Sequence, residues 1–312
     1  METYKFKAYG QVIQSDIKPP YHEDMCIGGD VNLWIRTNST NMYNAEKLKP
    51  INEGKCGLLR LSMDQTGVYY ITHSKDPDRW ITISANEIVV NSKKRALTNS
   101  NNYWKMIDPT SLAFVLRQMN LLVIHGSAIV DNKSGKVTAL IAPSGTGKTT
   151  LSLSLCRSGR YSLLADDMIV MEKIGGDYYV YHDLGYVKLW PNSLDIVYPM
   201  VKRQFNEKTD RLAKCIIPFA KITSGYHVEK APINRMIYVH TKADDSVGLI
   251  KVDNNIWIKY VLSEMLYNSM VSPRMLFQQY QLLYDILQQG ITSYILRYQQ
   301  NTNSLKEIVE FL

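Results

Sequence analysis

The chain has 312 residues, 45% of them hydrophobic, and a formal net charge of +7. That suits one large or two ordinary globular domains whose core needs no covalent staples. The four cysteines, Cys26, Cys56, Cys156 and Cys215, form no Cys-x-x-Cys pair, which argues against a disulfide framework or metal cluster and fits a reducing compartment. The start, METYKFKAYGQ, lacks the apolar core of a secretion signal, and no run approaches the roughly 20 apolar residues that cross a bilayer. A soluble cytoplasmic protein with no membrane contact is expected. The positive charge suits nucleic acid, an acidic peptide or nucleotide phosphates. It is scattered, however, and its one tight cluster, Lys93-Lys94-Arg95, reads as a solvated turn. No module combines stacking aromatics with arginines, so no nucleic-acid partner is expected.

Residues 1–97 read as a β-rich domain. Runs at 4–13, 31–35, 58–63, 68–73, 80–84 and 87–90 are rich in β-branched and aromatic residues. Turn formers separate them: Pro19-Pro20, Gly28-Gly29, Asn52-Glu53-Gly54 and Asp76-Pro77-Asp78. His22 and His73 lack partners at metal-ligand spacing and read as structural or exposed.

Residues 98–312 read as a second domain, entered through the polar joint TNSNNYWK at 98–105. Residues 109–122 follow, with Leu112, Val115, Leu116 and Met119 on one helical face. An apolar run at 121–130, a turn over Asp131-Asn132-Lys133-Ser134-Gly135 and a second run at 136–142 predict a β-hairpin. In most doubly wound nucleotide-binding folds the second strand would have a parallel neighbour reached through a crossover helix.

That second strand runs into Ser144-Gly145-Thr146-Gly147-Lys148-Thr149-Thr150 and then a helix over 148–157, stopped by Gly159. Gly145 and Gly147 let successive backbone N–H groups turn inward toward phosphate oxygens. The new helix adds its positive end. Lys148 can reach the outer phosphates and the Thr149 hydroxyl can ligate Mg²⁺. Where the eight-residue phosphate-loop pattern begins with glycine, this chain has Ala142, on the strand side where a small residue suffices.

Leu163-Leu164-Ala165 reads as a short strand that delivers Asp166 and Asp167. Alternation continues over 177–190, residues 191–225 are loop-rich, and 235–240 read as another strand. From 256 the spacing is helical, through Val261, Leu262, Met265 and Leu266, then Leu276, Tyr280, Leu283, Tyr284 and Leu287, with a last helix over 304–312.

If the strands at 121–130, 136–142 and 163–165 share a sheet, His125, Lys148-Thr149 and Asp166-Asp167 meet at one end of it. Phosphoryl transfer needs such a set: a cation on the phosphate, a metal-associated carboxylate and a carboxylate near the acceptor hydroxyl. The plainer alternatives are a polar turn at Asp166-Asp167 and a core histidine at His125.

HGSAIV at 125–130, APSGTGKTTL at 142–151 and LLADDM at 163–168 resemble the kinase domain of the HPr kinase/phosphorylase superfamily. Weaker similarity runs through LGYVKLWPNSL at 184–194. The front part, from YKFKAYGQVIQSDI, is similar to that of HPr-kinase-like proteins of ribosomal-peptide modification systems, including lasso-peptide kinases. The resemblance implies an α/β fold: an HPr-kinase-like phosphate-loop domain with a hairpin before the loop, preceded by the β-rich domain. It implies ATP and Mg²⁺ as cofactors. Asp166 would be the general base, Asp167 would hold Mg²⁺ with Thr149, Lys148 would neutralise the β- and γ-phosphates, and His125 would stand beside the γ-phosphate. The two aspartates could exchange these roles. The arginine-containing loop of the bifunctional enzymes has no evident counterpart; Arg203 and Arg211 are possible basic partners that also read as surface residues.

The resemblance thus implies an ATP-dependent serine kinase acting on a peptide or small protein, with the C-terminal serine of a lasso-type precursor as acceptor. An HPr(Ser)-type regulatory kinase, a small-molecule kinase and a non-catalytic nucleotide-binding sensor remain alternatives. A homo-oligomer is possible, because HPr kinases assemble through their kinase domains.

Overall fold

The computed structural model describes residues 2–20, 28–39, 48–50, 59–73, 76–93, 104, 107–198, 214–222, 228–241, 247–262, 264–265, 271–299 and 302–312. His22, Cys26, Cys56, Lys94, Arg95, Arg203, Arg211, the turn at 52–54 and most of the joint at 98–105 lie outside these residues. The chain divides into two compact units: Met1–Leu122 with Leu266–Tyr280, and Val123–Met265 with Gln281–Leu312.

The first unit holds an eight-stranded sheet. Its strands are β1 (Tyr4–Ala8), β2 (Gln11–Ser15), β3 (Leu33–Ser39), β4 (Lys49–Pro50), β5 (Leu59–Met63), β6 (Tyr69–His73), β7 (Asp76–Ser84) and β8 (Glu87–Ser92), in the order β1-β2-β3-β8-β7-β6-β5-β4. The apolar run at 4–13 is not one strand. It folds back at Tyr9-Gly10, both at positive φ (56° and 74°), so Ala8 pairs with Gln11. Two left-handed residues are what a two-residue hairpin needs, and a tyrosine at the first hides the signal. Asp76-Pro77-Asp78 is not a turn but the start of β7, beside an irregular pairing at His73, where a strand tolerates proline. Ile13, Leu33, Ile35, Leu61, Ile71, Ile81 and Ile88 form one buried face, and Trp80, also buried, lies on the other.

Helix α1 (Leu112–Gln118) also belongs to this unit, although its sequence follows residue 97. Phe114 meets Tyr69 of β6 edge-on with ring centroids 4.7 Å apart. Six residues in a row, Leu112–Arg117, are buried, so the helix is enclosed rather than amphipathic. Asn120 ends it at φ 62°, and Gln279 donates to the Leu121 carbonyl at 2.8 Å.

The second unit is built on a nine-stranded sheet. Its members are β9 (Leu122–Ile124), β10 (Gly126–Asp131), β11 (Val137–Ile141), β12 (Tyr161–Ala165), β13 (Ile169–Ile174), β14 (Asp177–Tyr181), β17 (Lys230–Thr241), β18 (Gly248–Lys251) and β19 (Thr292–Tyr298). Strands β15 (Tyr186–Leu189) and β16 (Cys215–Pro218) make a separate ribbon. The run at 121–130 breaks at His125: β9 joins β13, whereas β10 lies between β11 and β12. Both neighbours of β10 are antiparallel to it, so the ends of β11 and β12 and the start of β10 coincide.

The twelve-residue β17 spans two partnerships. Its first residues pair with β14; the rest lie parallel to β11 and β19. Strand β19 sits within a stretch read as helical throughout. It is paired on both sides, with β17 and β18, and its burial alternates except at the adjacent buried Ile295 and Leu296.

The described residues also form helices α2 (Lys148–Arg157), α3 (Pro191–Val197), α4 (Asn254–Leu262), α5 (Pro273–Gln288) and α6 (Thr302–Phe311), the division between the units falling within α5. One core cluster joins Leu151 and Leu155 of α2, Ile129, Leu140, Ile237, Leu296 and Ile308. It fixes α2, and so the loop before it, against the sheet. Among the described residues no helix is long and apolar enough to cross a membrane.

Candidate phosphoryl-transfer site

Ala142 ends the buried strand β11, and the loop then opens: Pro143, Ser144 and Gly145 are exposed. Gly145 and Gly147 both stand at φ 85°, where an L side chain would be strained. Thr146 is tied at both sides, its hydroxyl donating to Pro143 O at 2.7 Å and its carbonyl accepting from Tyr298 Oη at 3.2 Å. Gly147 caps α2, so the unpaired N–H groups of the first helical turn, including Thr149 and Thr150, face the loop.

Lys148 does not extend into solvent. Its ammonium donates to Ala142 O at 2.7 Å, to Pro143 O at 3.0 Å and toward His125 Nε2 at 3.1 Å. His125 Nδ1 lies 2.8 Å from the Asp167 carbonyl, an obligate acceptor, so Nδ1 carries the proton and Nε2 offers its lone pair to Lys148. Burial, then the adjacent Lys148 charge, lower the His125 pKa and keep the ring neutral. Burial lowers that of Lys148 too, against the pull of Asp166, Glu264 and Asp167.

The histidine reaches this place because of Gly126. A Cβ there would stand 2.7 Å from both Leu140 O and Ile169 Cδ1. The glycine therefore permits close pairing of β10 with β11 beneath β13.

The two aspartates face different surroundings. Asp166 is 5% exposed and accepts from Ser127 Oγ at 2.5 Å and from Thr149 Oγ1 at 2.9 and 3.1 Å. Burial, then the neighbouring Asp167, push its pKa up to about 6, against the two hydroxyls and Lys214. Asp167 is more open: its side chain is 24% exposed and lies 3.8 Å from Lys188 Nζ on β15.

Thr149 thus meets Asp166 and not Asp167. His125, Lys148, Thr149 and Asp166 converge directly, and Asp167 joins them through its carbonyl. Three contributors were not singled out from the sequence: Ser127, inside the HGSAIV run; Lys188, inside LGYVKLW; and Asp183, between β14 and β15. A polar residue in each otherwise apolar or strand-like run was the available signal.

No group of three or more His, Cys, Asp or Glu side chains that could hold a metal ion occurs among the described residues. Mg²⁺ on a nucleotide needs no such cage, since phosphate oxygens and waters complete its shell around one or two protein oxygens. The Thr149 hydroxyl and Asp166 carboxylate are an all-oxygen pair of that kind, and the open loop with its inward N–H groups suits a polyphosphate.

The fold and site define a mixed α/β unit with a phosphate-binding loop and an adjoining carboxylate pair. A family model described as phosphoenolpyruvate carboxykinase matches residues 65–188, which is less than half of the chain but includes His125, the loop, both aspartates and Lys188. Among solved structures, the chain is similar to the Hpr(Ser) kinase/phosphatase from Coxiella burnetii, at 12% identity and a TM-score of 0.35, covering 60% of this chain and 86% of that one. No curated protein matches the sequence.

Proposed function

We propose that the protein is an ATP-dependent phosphotransferase that phosphorylates a serine hydroxyl of a peptide. The observation that carries this reading is the carboxylate pair beside a phosphate loop, with Asp166 on the Thr149 hydroxyl and Asp167 the more open of the two. A nucleotide-binding sensor needs the loop but has no use for a second, open carboxylate.

In this reading the loop N–H groups and Lys148 hold the β- and γ-phosphates, and Thr149 and Asp166 would hold Mg²⁺. The metal, when bound, would supply charge neutralisation across the phosphates. Asp167 takes the acceptor proton, which reverses the order implied by the resemblance: Asp166 already gives both oxygens to Thr149 and is enclosed, whereas an acceptor can approach Asp167. Lys188 holds the Asp167 carboxylate toward the site. Neutral His125 steers Lys148 and, through Nδ1, the Asp167 backbone.

The family-model match and the resemblance to HPr-kinase-like peptide kinases support phosphotransfer. The C-terminal serine of a lasso-type precursor is the proposed acceptor, with the protein working in the cytoplasm. Mass spectrometry after incubation with ATP, Mg²⁺ and a precursor peptide is the test, with its C-terminal amide and HPr as parallel substrates. Phosphate on the free-acid peptide supports the proposal. Phosphate on HPr alone makes the protein a regulatory kinase, and no transfer to either despite nucleotide binding removes the peptide reading.

A further inference from the structure

Asp167 stands at φ 65°, a left-handed conformation in which the Cβ of a non-glycine residue crowds the following carbonyl oxygen. The Met168 N–H donates back to the Asp166 carbonyl at 2.8 Å. A bond from residue i+2 to residue i around a positive φ is a γ-turn of the rare, strained kind, with Asp167 at its apex. Such a turn persists only where its surroundings over-determine it.

Those surroundings can be named. Asp183 is 3% exposed and lies in the connection between β14 and β15. Its Oδ2 accepts from Asp166 N at 2.7 Å and its Oδ1 from Gly185 N at 2.7 Å. Its own N–H donates to Leu164 O at 3.3 Å, in the strand that leads into the turn. The connection is itself anchored, since His182 N donates to Glu229 O at 2.9 Å and Phe219 N to Gly185 O at 2.8 Å. Asp183 therefore grips the first residue of the γ-turn from a fixed post, while His125 Nδ1 holds the apex carbonyl at 2.8 Å.

We propose that Asp183 is a positioning residue: its carboxylate clamps the strained Asp166–Asp167–Met168 turn and so aims the Asp167 carboxylate at the acceptor. Asp183 touches neither nucleotide nor acceptor in this account, and its effect on catalysis rests on the phosphotransferase reading. The clamp itself does not.

Two measurements on the full chain, as Asp183→Ala and Asp183→Asn, separate these claims. Asn keeps the size and one acceptor oxygen, so it serves if the alanine variant does not fold. The first is hydrogen exchange read by mass spectrometry. Amides at 163–168 should exchange at least about 10-fold faster in the variant, with 144–150 within about 2-fold of wild type, because only the turn loses its clamp. Unchanged exchange at 163–168, or a uniform rise across the second unit, overturns the clamp. The second is turnover with ATP and the peptide acceptor. The kcat should fall by about 10- to 100-fold with nucleotide affinity retained, as expected for a misaimed carboxylate. A loosened turn with unchanged kcat overturns the positioning role. Wild-type protein that binds ATP but transfers nothing to the peptide defeats the peptide-kinase reading, and the exchange measurement still decides the clamp.

Discussion

The phosphate loop and the aspartate turn lie side by side and bend the backbone into the same left-handed region by opposite means. The loop does so with glycines, Gly145 and Gly147, for which positive φ carries no side-chain penalty. The turn does so with Asp167, whose carboxylate is the base in the proposed reading. Besides its local ties the loop has Tyr298 Oη on the Thr146 carbonyl, whereas the turn, which has no glycine, is held by Asp183 and His125 from separate strand connections. A segment that binds through its backbone can be made of permissive residues; one that acts through a side chain must be held in place by its neighbours.

The contrast can be broken at either side. The largest expected effect is Asp167→Asn, which keeps the shape and tolerance of positive φ but removes the base. Transfer should fall by about 10²–10⁴ in kcat with nucleotide affinity unchanged, measured by steady-state turnover and calorimetry. Lys148→Ala should cost about 10²–10³ and, unlike the first, also weaken nucleotide binding, since the loop loses its cation. Gly145→Ala tests the loop's permissiveness alone, because a Cβ there meets nothing within 4 Å. It should destabilise by about 1–2 kcal/mol in denaturant unfolding. Asp167→Gly should shift stability the other way, by up to about 1 kcal/mol, because it releases the strain that Gly145→Ala creates. Equal signs for the last two would remove strain as the difference between the segments.

Much of this site could be read from the residues alone. Glycine spacing, the lysine-threonine pair and the helix after them mark the loop, since few other backbones need that combination. Two apolar runs around Asp131–Gly135 mark the β10–β11 connection. What escaped lies in tertiary partnership. The break at His125 is invisible because β9 and β10 are both apolar and differ only in their neighbours. Strand β19 reads TSYILRY, and the adjacent buried Ile295 and Leu296 break its period of two. The contribution of Asp183 depends on a backbone N–H 17 residues away, which no local pattern announces. The order of the two aspartates is equally unreadable: both follow one strand, and only the γ-turn sends Asp166 to Thr149 and Asp167 to Lys188.

The most direct test of the central claim is a single-turnover experiment on wild type, Asp166→Asn and Asp167→Asn. Each would be loaded with γ-labelled ATP and Mg²⁺ and mixed with the serine peptide. The account predicts labelled phosphoserine from wild type, its formation slowed by about 10²–10⁴ in Asp167→Asn at unaltered nucleotide affinity, and weakened Mg²⁺ dependence in Asp166→Asn. Full label transfer by Asp167→Asn would contradict it.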